Sequence, residues 1–165
     1  MAHFAELESM VDPSGFTSDT QLIVKRVVVV GNDIETAAGP LGENDMHVDG
    51  ETWCQNFFGG TWKQTSYNSN FRKRFAGIGN QYHPTKDKFL VEQPYASWYL
   101  NNEDDWRAPV ETPSITSEGD VHYYYRWDED TYNSDNTLGW IATKSDDVND
   151  PQTIYDWNGS AWVAR

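Results

Sequence analysis

The sequence contains one cysteine among 165 residues, which excludes an internal disulfide and any metal site built from several thiolates. It also lacks an apolar run near the roughly 20 residues that span a bilayer. Residues 1–10 have neither the basic start nor the apolar stretch of a secretory signal. We therefore expect a protein that does not use a secretory route and has no membrane partner.

Positive charge is scarce, because twelve Lys and Arg stand against twenty-six Asp and Glu, for a formal net charge of −14. A field of that sign repels polyanions, so we expect no nucleic-acid partner.

The sequence motifs of common enzyme classes are also missing. There is no G-x-S-x-G, no H-E-x-x-H and no Walker glycine loop. Cys54 is predicted to be a small buried residue on a helix rather than a nucleophile. The four histidines are scattered without ligand spacing: His3, His47, His83 and His122. We expect no catalytic residues, no metal and no cofactor, and thus a protein that is not an enzyme.

Aromatic residues are abundant and unevenly placed. Phe, Trp and Tyr make up 15% of the chain, and twenty-two of the twenty-four lie from Trp53 onward. Such side chains bury large areas at low entropic cost, so they can hold together a thin, turn-rich fold. Exposed aromatics on small β-folds can also stack on sugars, which leaves a carbohydrate-binding module open as an alternative.

The pattern predicts a mostly β fold, with a small antiparallel sheet, one short helix and a C-terminal hairpin extension. "AHFAEL" and "QLIVKRVVVVGN" are typical of strands, and 33–48 is a loop rich in Gly and Pro. The helix is predicted at about 49–58 and ends at Gly59-Gly60. "NQYHPTKDKFLV" predicts a hairpin with its tip at 84–87.

The later part of the chain repeats a theme of aromatic, polar turn, aromatic. We predict a β-rich body at 1–110, a linker at 111–120 and a projecting hairpin extension at 121–165. In the last hairpin, Asn158-Gly159 is a strong two-residue turn signal, which would place Tyr155 opposite Trp162.

Half of the cations are concentrated in one segment. Between Lys63 and Lys88 there are six of the twelve Lys and Arg and one acid, so the segment carries about +5 and the remainder −19. A compact positive patch with aromatics suits an acidic protein partner, because complementary charge steers docking. The predicted partner-binding residues are Lys63, Phe71, Arg72, Lys73, Arg74 and Phe75.

Several blocks of the sequence resemble a family of small proteins encoded by marine bacteriophages, especially cyanophages. The blocks occur in the same order as in that family: "MAHFAEL", "VKRVVVVGN", "FFGGTWKQTSYN", "FAGIG", "QPYASWYLN" and "WRAPV". The resemblance covers most of residues 1–110 and is weaker beyond, where "YRWDE" is similar to a segment near the family's end. Members are described as virion structural proteins or are uncharacterised, so no catalytic residues are implied.

The resemblance implies a part of the phage particle, assembled in the host cytoplasm. We expect a decoration or knob protein on the outside of the head, bound to the capsid or another virion protein and possibly to copies of itself. A tail or fibre-associated adaptor is the alternative within the particle. A carbohydrate-binding module that recognises host surface sugars is the alternative from another class.

Overall fold

A computed structural model describes residues 1–42 and 48–165 and divides the chain into two units, Met1–Gln93 and Pro94–Arg165. The first unit contains β1 (Ala2–Val11), β2 (Thr20–Val30), β3 (Glu35–Thr36), β4 (Gly39–Pro40), α1 (Val48–Phe58), β5 (Thr61–Thr65), β6 (Gln81–His83) and β7 (Lys88–Leu90). The second contains β8 (Tyr99–Leu100), β9 (Trp106–Arg107), β10 (Ser117–Glu118), β11 (Val121–Trp127), α2 (Glu129–Ser134), β12 (Trp140–Lys144), β13 (Tyr155–Trp157) and β14 (Trp162–Ala164). The mostly β class is confirmed.

The first unit is built on a five-stranded antiparallel sheet with the order β5-β1-β2-β6-β7. The two predicted strands form its centre, and β1 continues four residues past the predicted segment AHFAEL before the turn to β2. The hairpin of β6 and β7 has its tip at 84–87, as predicted. Of the predicted loop at 33–48, residues 43–47 lie outside the described part of the chain.

Both faces of this sheet are covered, since neighbouring residues of β1 point to opposite sides. Phe4 lies in one core cluster together with Cys54 of α1. Ala5 lies in the other, together with Ala76 and Phe89. Phe4, Ala5, Cys54 and Phe89 are fully buried, and Ala76 is 1% exposed. A helix therefore covers one face, and the segment that follows β5 helps to cover the other.

Helix α1 runs from Val48 to Phe58, which confirms the helix predicted at about 49–58. The structure has a second helix, α2, that the sequence did not predict. Asp128 caps α2, because its side chain accepts a hydrogen bond from the N–H of Thr131 at 3.0 Å. None of the residues of α2 is buried, so no apolar periodicity marks this helix in the sequence.

The second unit has its own antiparallel sheet, with the order β10-β11-β12-β13-β14. Its core consists of Trp127, Trp140 and Trp157, and residues from Tyr95 to Ile115 pack against them. The aromatic content of the sequence therefore forms a core here, as expected for a thin fold.

The boundary between the units lies earlier than predicted. The prediction assigned residues up to 110 to the body and 111–120 to a linker. In the structure, residues 94–120 belong to the second unit. Two indoles hold this segment: Trp140 donates to the carbonyl of Val110 at 3.1 Å, and Trp162 donates to that of Ile115 at 2.7 Å. The hairpins at 121–165 thus do not stand as a separate extension, because 94–120 completes their core.

The register of the last hairpin also differs from the prediction. Trp157 lies opposite Trp162, and Tyr155 lies opposite Ala164. The side-chain oxygen of Asn158 accepts hydrogen bonds from the N–H groups of Ser160 and Ala161, at 3.0 and 2.9 Å. These bonds stabilise a four-residue loop at 158–161 in place of the two-residue turn.

The tightest approach between α1 and the sheet predicts the effect of adding one methyl group. A Cβ at Gly50 would lie 2.8 Å from Cε1 of Phe4 and 2.9 Å from Cδ1 of Leu41. Gly50→Ala should therefore destabilise the first unit by about 1–3 kcal/mol, against a gain in helix propensity of about 1 kcal/mol.

Urea unfolding of Gly50→Ala measures this loss. Gln55→Ala, an exposed change on the same helix, is the control and should stay within about 0.5 kcal/mol of the unmodified protein. A Gly50→Ala protein as stable as the control would contradict the packing of α1 on Phe4.

Candidate functional site

A loop at residues 66–76 connects β5 with the approach to β6 and contains most of the predicted partner-binding residues. Three of its residues have left-handed backbone although none is glycine: Ser69 (φ 57°), Arg72 (φ 53°) and Lys73 (φ 71°). An L-residue adopts this conformation at a cost of roughly 1–2 kcal/mol. Contacts with the rest of the unit must therefore hold the loop in place.

Hydrogen bonds fix both ends of this loop. Ser66 Oγ accepts from the N–H of Asn70 at 2.9 Å, and Thr65 Oγ1 accepts from the N–H of Ala76 at 2.7 Å. In the middle, the carbonyl of Arg72 accepts from the N–H of Phe89, on β7, at 3.0 Å. The loop is thus bonded to two different strands of the sheet.

The side chain of Arg72 anchors the loop from the inside. It is 6% exposed. Its guanidinium donates to Oε1 of Glu51 at 2.7 Å, to the carbonyl of Gln64 at 2.8 Å and to Oδ1 of Asp87 at 2.7 Å. The group therefore joins the loop to α1, to β5 and to the hairpin of β6 and β7.

Glu51 and Arg72 together satisfy the outer edge of β5. Oε1 of Glu51 accepts from the N–H of Gln64 at 2.9 Å, and Arg72 donates to the carbonyl of the same residue. The two side chains take the place of a neighbouring strand at this position, because they supply one acceptor and one donor. Lys63 adds a third charge, with Nζ 3.3 Å from Oε2 of Glu51.

The network continues to the hairpin tip through Asp87 and Tyr82. The hydroxyl of Tyr82 donates to Oδ1 of Asp87. Burial opposes ionisation of Asp87, but the hydrogen bond from Tyr82 and the charge of Arg72 outweigh it and lower the pKa of this carboxyl. Burial, followed by the hydrogen bond to Asp87, raises the pKa of Tyr82. Both groups thus keep their ordinary ionisation states at neutral pH.

The structure brings the six predicted partner-binding residues into one region, but none of them is fully exposed. Lys63 forms an ion pair with Glu51, and Arg72 forms ion pairs with Glu51 and Asp87. Arg74 has its Nε buried, without a hydrogen-bond partner in the described part of the chain. Phe71 and Phe75 are half-buried. Lys73 is also half-buried. Two of the six cations of the segment, Lys63 and Arg72, therefore stabilise the fold through ion pairs.

The residues that the loop exposes are Tyr67, Asn68, Ser69 and Asn70. Tyr67 is 68% exposed, and its ring is stacked on the imidazole of His3, with centroids 5.4 Å apart. Tyr67, Asn68 and Asn70 border a cavity of about 240 Å³. Sequence reasoning missed this site, since the residues that form it are ordinary turn residues until the loop is folded.

A second exposed feature of the first unit is an aromatic face on α1, formed by Trp53, Phe57 and Phe58. Phe57 is 68% exposed and is stacked on Trp53 with centroids 4.9 Å apart, and Phe58 is 40% exposed. The guanidinium of Arg26 lies 5.2 Å from the ring centre of Phe58 and 5.3 Å from that of Trp62. Only part of the apolar surface of α1 is used in packing on the sheet.

Cys54 is fully buried, as predicted. Burial, with the charge of Glu51, raises the pKa of its thiol to about 12, so the thiolate needed for nucleophilic attack does not form near neutral pH. His3 packs against Tyr67 and Phe75, and burial together with the chain's amino group lowers the pKa of its imidazole. Neither side chain is arranged as a nucleophile or a general base.

In the second unit, a groove of about 360 Å³ carries several aspartates and Arg165. Arg165 forms a two-pronged ion pair with Asp156, at 2.7–3.1 Å, and Asp128 is occupied as the cap of α2. Among residues 1–42 and 48–165, no three His, Cys, Asp or Glu side chains are grouped so that they could hold a metal ion. The groove is explained by its own ion pairs.

Comparisons with protein-family models, with curated proteins and with solved structures find no match to this chain. In the part of the chain that the structure describes, no helix is both long enough and apolar enough to cross a membrane.

The buried ion pair makes Arg72 the most sensitive position of the loop. Arg72→Met should destabilise the first unit by about 3 kcal/mol or more, because Glu51 stays buried with only Lys63 beside it. Adding Glu51→Gln should recover part of this loss, since the double variant has no unpaired carboxylate at position 51. Urea unfolding gives both values.

Lys25→Met is the matched control for that experiment. It also removes a cation paired with a glutamate, but its side chain is 56% exposed, so the loss should stay below about 1 kcal/mol. Equal losses for Arg72→Met and Lys25→Met would contradict the anchoring role of Arg72.

The lowered pKa of Asp87 predicts an acid-sensitive part of the stability. Its ionised form is favoured by the fold, so this contribution is complete above the ordinary value of 3.8 and disappears as the pH falls through the folded pKa. The melting temperature of Asp87→Asn should lie below that of the unmodified protein at neutral pH, and the gap should close below pH 3.8. Asp33→Asn, at an exposed position, controls for the loss of one surface charge. A gap that persists unchanged at low pH would show that the Asp87 carboxylate does not stabilise the fold.

Proposed function

We propose that this chain is a non-enzymatic structural protein of a phage virion that binds the particle through the aromatic face of α1. The observation that supports binding is the exposure of Phe57 and Phe58 beside Trp53 and Arg26. The virion assignment comes from the resemblance of the sequence blocks in residues 1–110. Our preferred location is the outside of the head, as a decoration or knob protein; a tail or fibre adaptor is the alternative.

The aromatic face has the composition of an interface centre. Trp, Tyr and Arg dominate the energetics of protein interfaces, and large aromatics left in water favour contact with a partner. The stacking of Phe57 on Trp53 restricts both rings before binding. Little side-chain entropy is then lost when the partner covers them.

The charge of the chain limits which partner surface fits. With a net charge of −14, the protein is repelled by acidic surfaces and attracted by neutral or basic ones. A capsid or other virion protein that offers an apolar pocket with a neutral or basic rim satisfies both conditions. Self-association through the same face would bring two acidic chains together and is the less favourable mode.

Two features support a role without catalysis. Cys54 is buried with a raised pKa, and His3 is held between aromatic rings. The buried polar network around Arg72 is directed at the fold itself, since its donors and acceptors pair with one another. These groups stabilise a binding protein and leave no reacting pair.

Phe57→Ser, introduced into the phage that encodes the chain, tests the proposal. Loss of a central aromatic contact should weaken attachment about tenfold or more, because such residues typically contribute at least 2 kcal/mol. Quantitative mass spectrometry of purified particles measures how many copies remain per particle. Since Phe57 is 68% exposed, the variant should keep its melting temperature.

Tyr124→Ser is the matched control, because Tyr124 is 65% exposed and lies in the second unit. Its copy number should equal that of the unmodified protein. Absence of the unmodified protein from particles would refute the virion assignment. Full occupancy by Phe57→Ser would refute the aromatic face as the contact.

A further inference from the structure

The cavity beside loop 66–76 differs in its charge from two other cavities of the described chain, one beside α1 and one in the second unit. None of its eleven lining residues is Asp, Glu, Lys or Arg, although such residues make up 23% of the chain. The cavity beside α1 contains Glu35 and Asp49, and the groove in the second unit contains several aspartates and Arg165. Among the described residues that line this cavity, the amino group of Met1 is the one formal charge. A ligand for this cavity should therefore be neutral.

The lining supplies groups that bind hydroxyls. Asn68 and Asn70 are exposed, and no hydrogen bond engages the amide of either side chain within residues 1–42 and 48–165. Each amide offers two donors and an acceptor. A purely apolar ligand that covered the amides of Asn68 and Asn70 would leave them without partners, which disfavours it.

One wall of the cavity is a fixed aromatic ring. His3 stacks on Tyr67 with an interplanar angle of 23°, and Phe75 makes a T-shaped contact with each of them, with centroids 5.4 and 5.5 Å apart. Burial keeps the imidazole of His3 neutral, since its pKa is lowered. The Tyr67 ring is thus held from one side while the residue remains 68% exposed. An aromatic surface next to several amides matches a ring that has an apolar face of C–H bonds and an edge of hydroxyls.

The size of the cavity limits the ligand to one small ring. About 240 Å³ is below the roughly 300–1,000 Å³ of pockets that enclose drug-sized ligands. A nucleotide would bring a phosphate, for which the lining offers no Lys or Arg and which the net charge of −14 repels.

We propose that the cavity formed by His3, Gln64, Tyr67, Asn68 and Asn70 binds a neutral pyranose, as the terminal residue of a surface glycan. The pyranose ring stacks on Tyr67, and its hydroxyls bond to the asparagine amides. The strained loop is preorganised by Arg72, which keeps the entropic cost of binding low. This site is independent of the aromatic face on α1, so either can fail without the other.

Saturation-transfer NMR on the full chain tests the site, with the methyl glycosides of glucose, galactose, mannose and N-acetylglucosamine as probes. We expect at least one of them to bind with a dissociation constant on the order of 1 mM. Calorimetry then measures this constant. Glucuronic acid and sialic acid are the charged comparison and should bind more weakly. No signal from any neutral glycoside, or equal binding of the charged sugars, would overturn the proposal.

Three variants locate the binding. Tyr67→Ala should weaken binding roughly tenfold or more, as is typical for the loss of a stacking ring, while Tyr67→Phe should retain it. Tyr124→Ala removes a ring of similar exposure from the second unit and should have no effect. If Tyr67→Ala lowers the melting temperature, Asn68→Ala gives a second measure of sugar affinity, because Asn68 is exposed and lies outside the strands. Undiminished binding by both Tyr67→Ala and Asn68→Ala would place the sugar elsewhere and refute this site.

Discussion

The first unit depends on the buried pairing of Arg72 with Glu51. Removing two charges from water is unfavourable, and such a pair is tolerated only when every donor and acceptor finds a partner. Here the guanidinium has three acceptors, and the carboxylate accepts from Arg72, from Lys63 and from the backbone of Gln64. Because these partners come from α1, β5 and the β6-β7 hairpin, the one interaction fixes how they are assembled.

This pairing also decides which residues the unit presents to other molecules. Arg72 is buried against Glu51, and the most exposed residues of the loop are the uncharged ones at 67–70, among them Tyr67 and Asn68. On the other side of the sheet, α1 buries Cys54 and leaves Phe57 in solvent. One unit thus combines a neutral cavity with an aromatic face, and the two suit different kinds of ligand: a small hydroxylated ring and an apolar protein surface.

The second unit is stabilised in a different way, by indoles that are both apolar and hydrogen-bonded. Trp127, Trp140 and Trp157 form the core, and the N–H groups of Trp140 and Trp162 bind carbonyls of the segment that precedes the hairpins. The carboxylate of Glu129 accepts from Trp127 and from Ser97, at 2.7–2.8 Å, so it joins α2 to the start of the unit. A unit of this size can rely on such residues because each buries a large area and satisfies its own polar atom.

Local patterns in the sequence determined the mostly β class, the helix at Val48–Phe58, the central strands and the hairpin with its tip at 84–87. Propensity, turn residues and apolar periodicity act over a few residues, and the structure follows them there. The same reasoning placed the unit boundary too late and the Trp157–Trp162 register wrongly. In each case side-chain hydrogen bonds changed the outcome. The indole N–H groups of Trp140 and Trp162 donate to backbone carbonyls in the first, and the side-chain oxygen of Asn158 accepts from backbone N–H groups in the second.

The candidate sites show the same limit. The charge of the segment from Lys63 to Lys88 singled it out, but the sequence could not show that Arg72 meets Glu51, which lies twenty-one residues earlier on a helix. Nor could it show that Phe57 faces solvent while Cys54, three residues before it, is buried. Composition and short-range pattern determined which charged and aromatic side chains are available and in which segments they occur. Only the tertiary structure decided which charges are neutralised inside and which rings remain outside, because pairing and burial depend on residues that are distant in the chain.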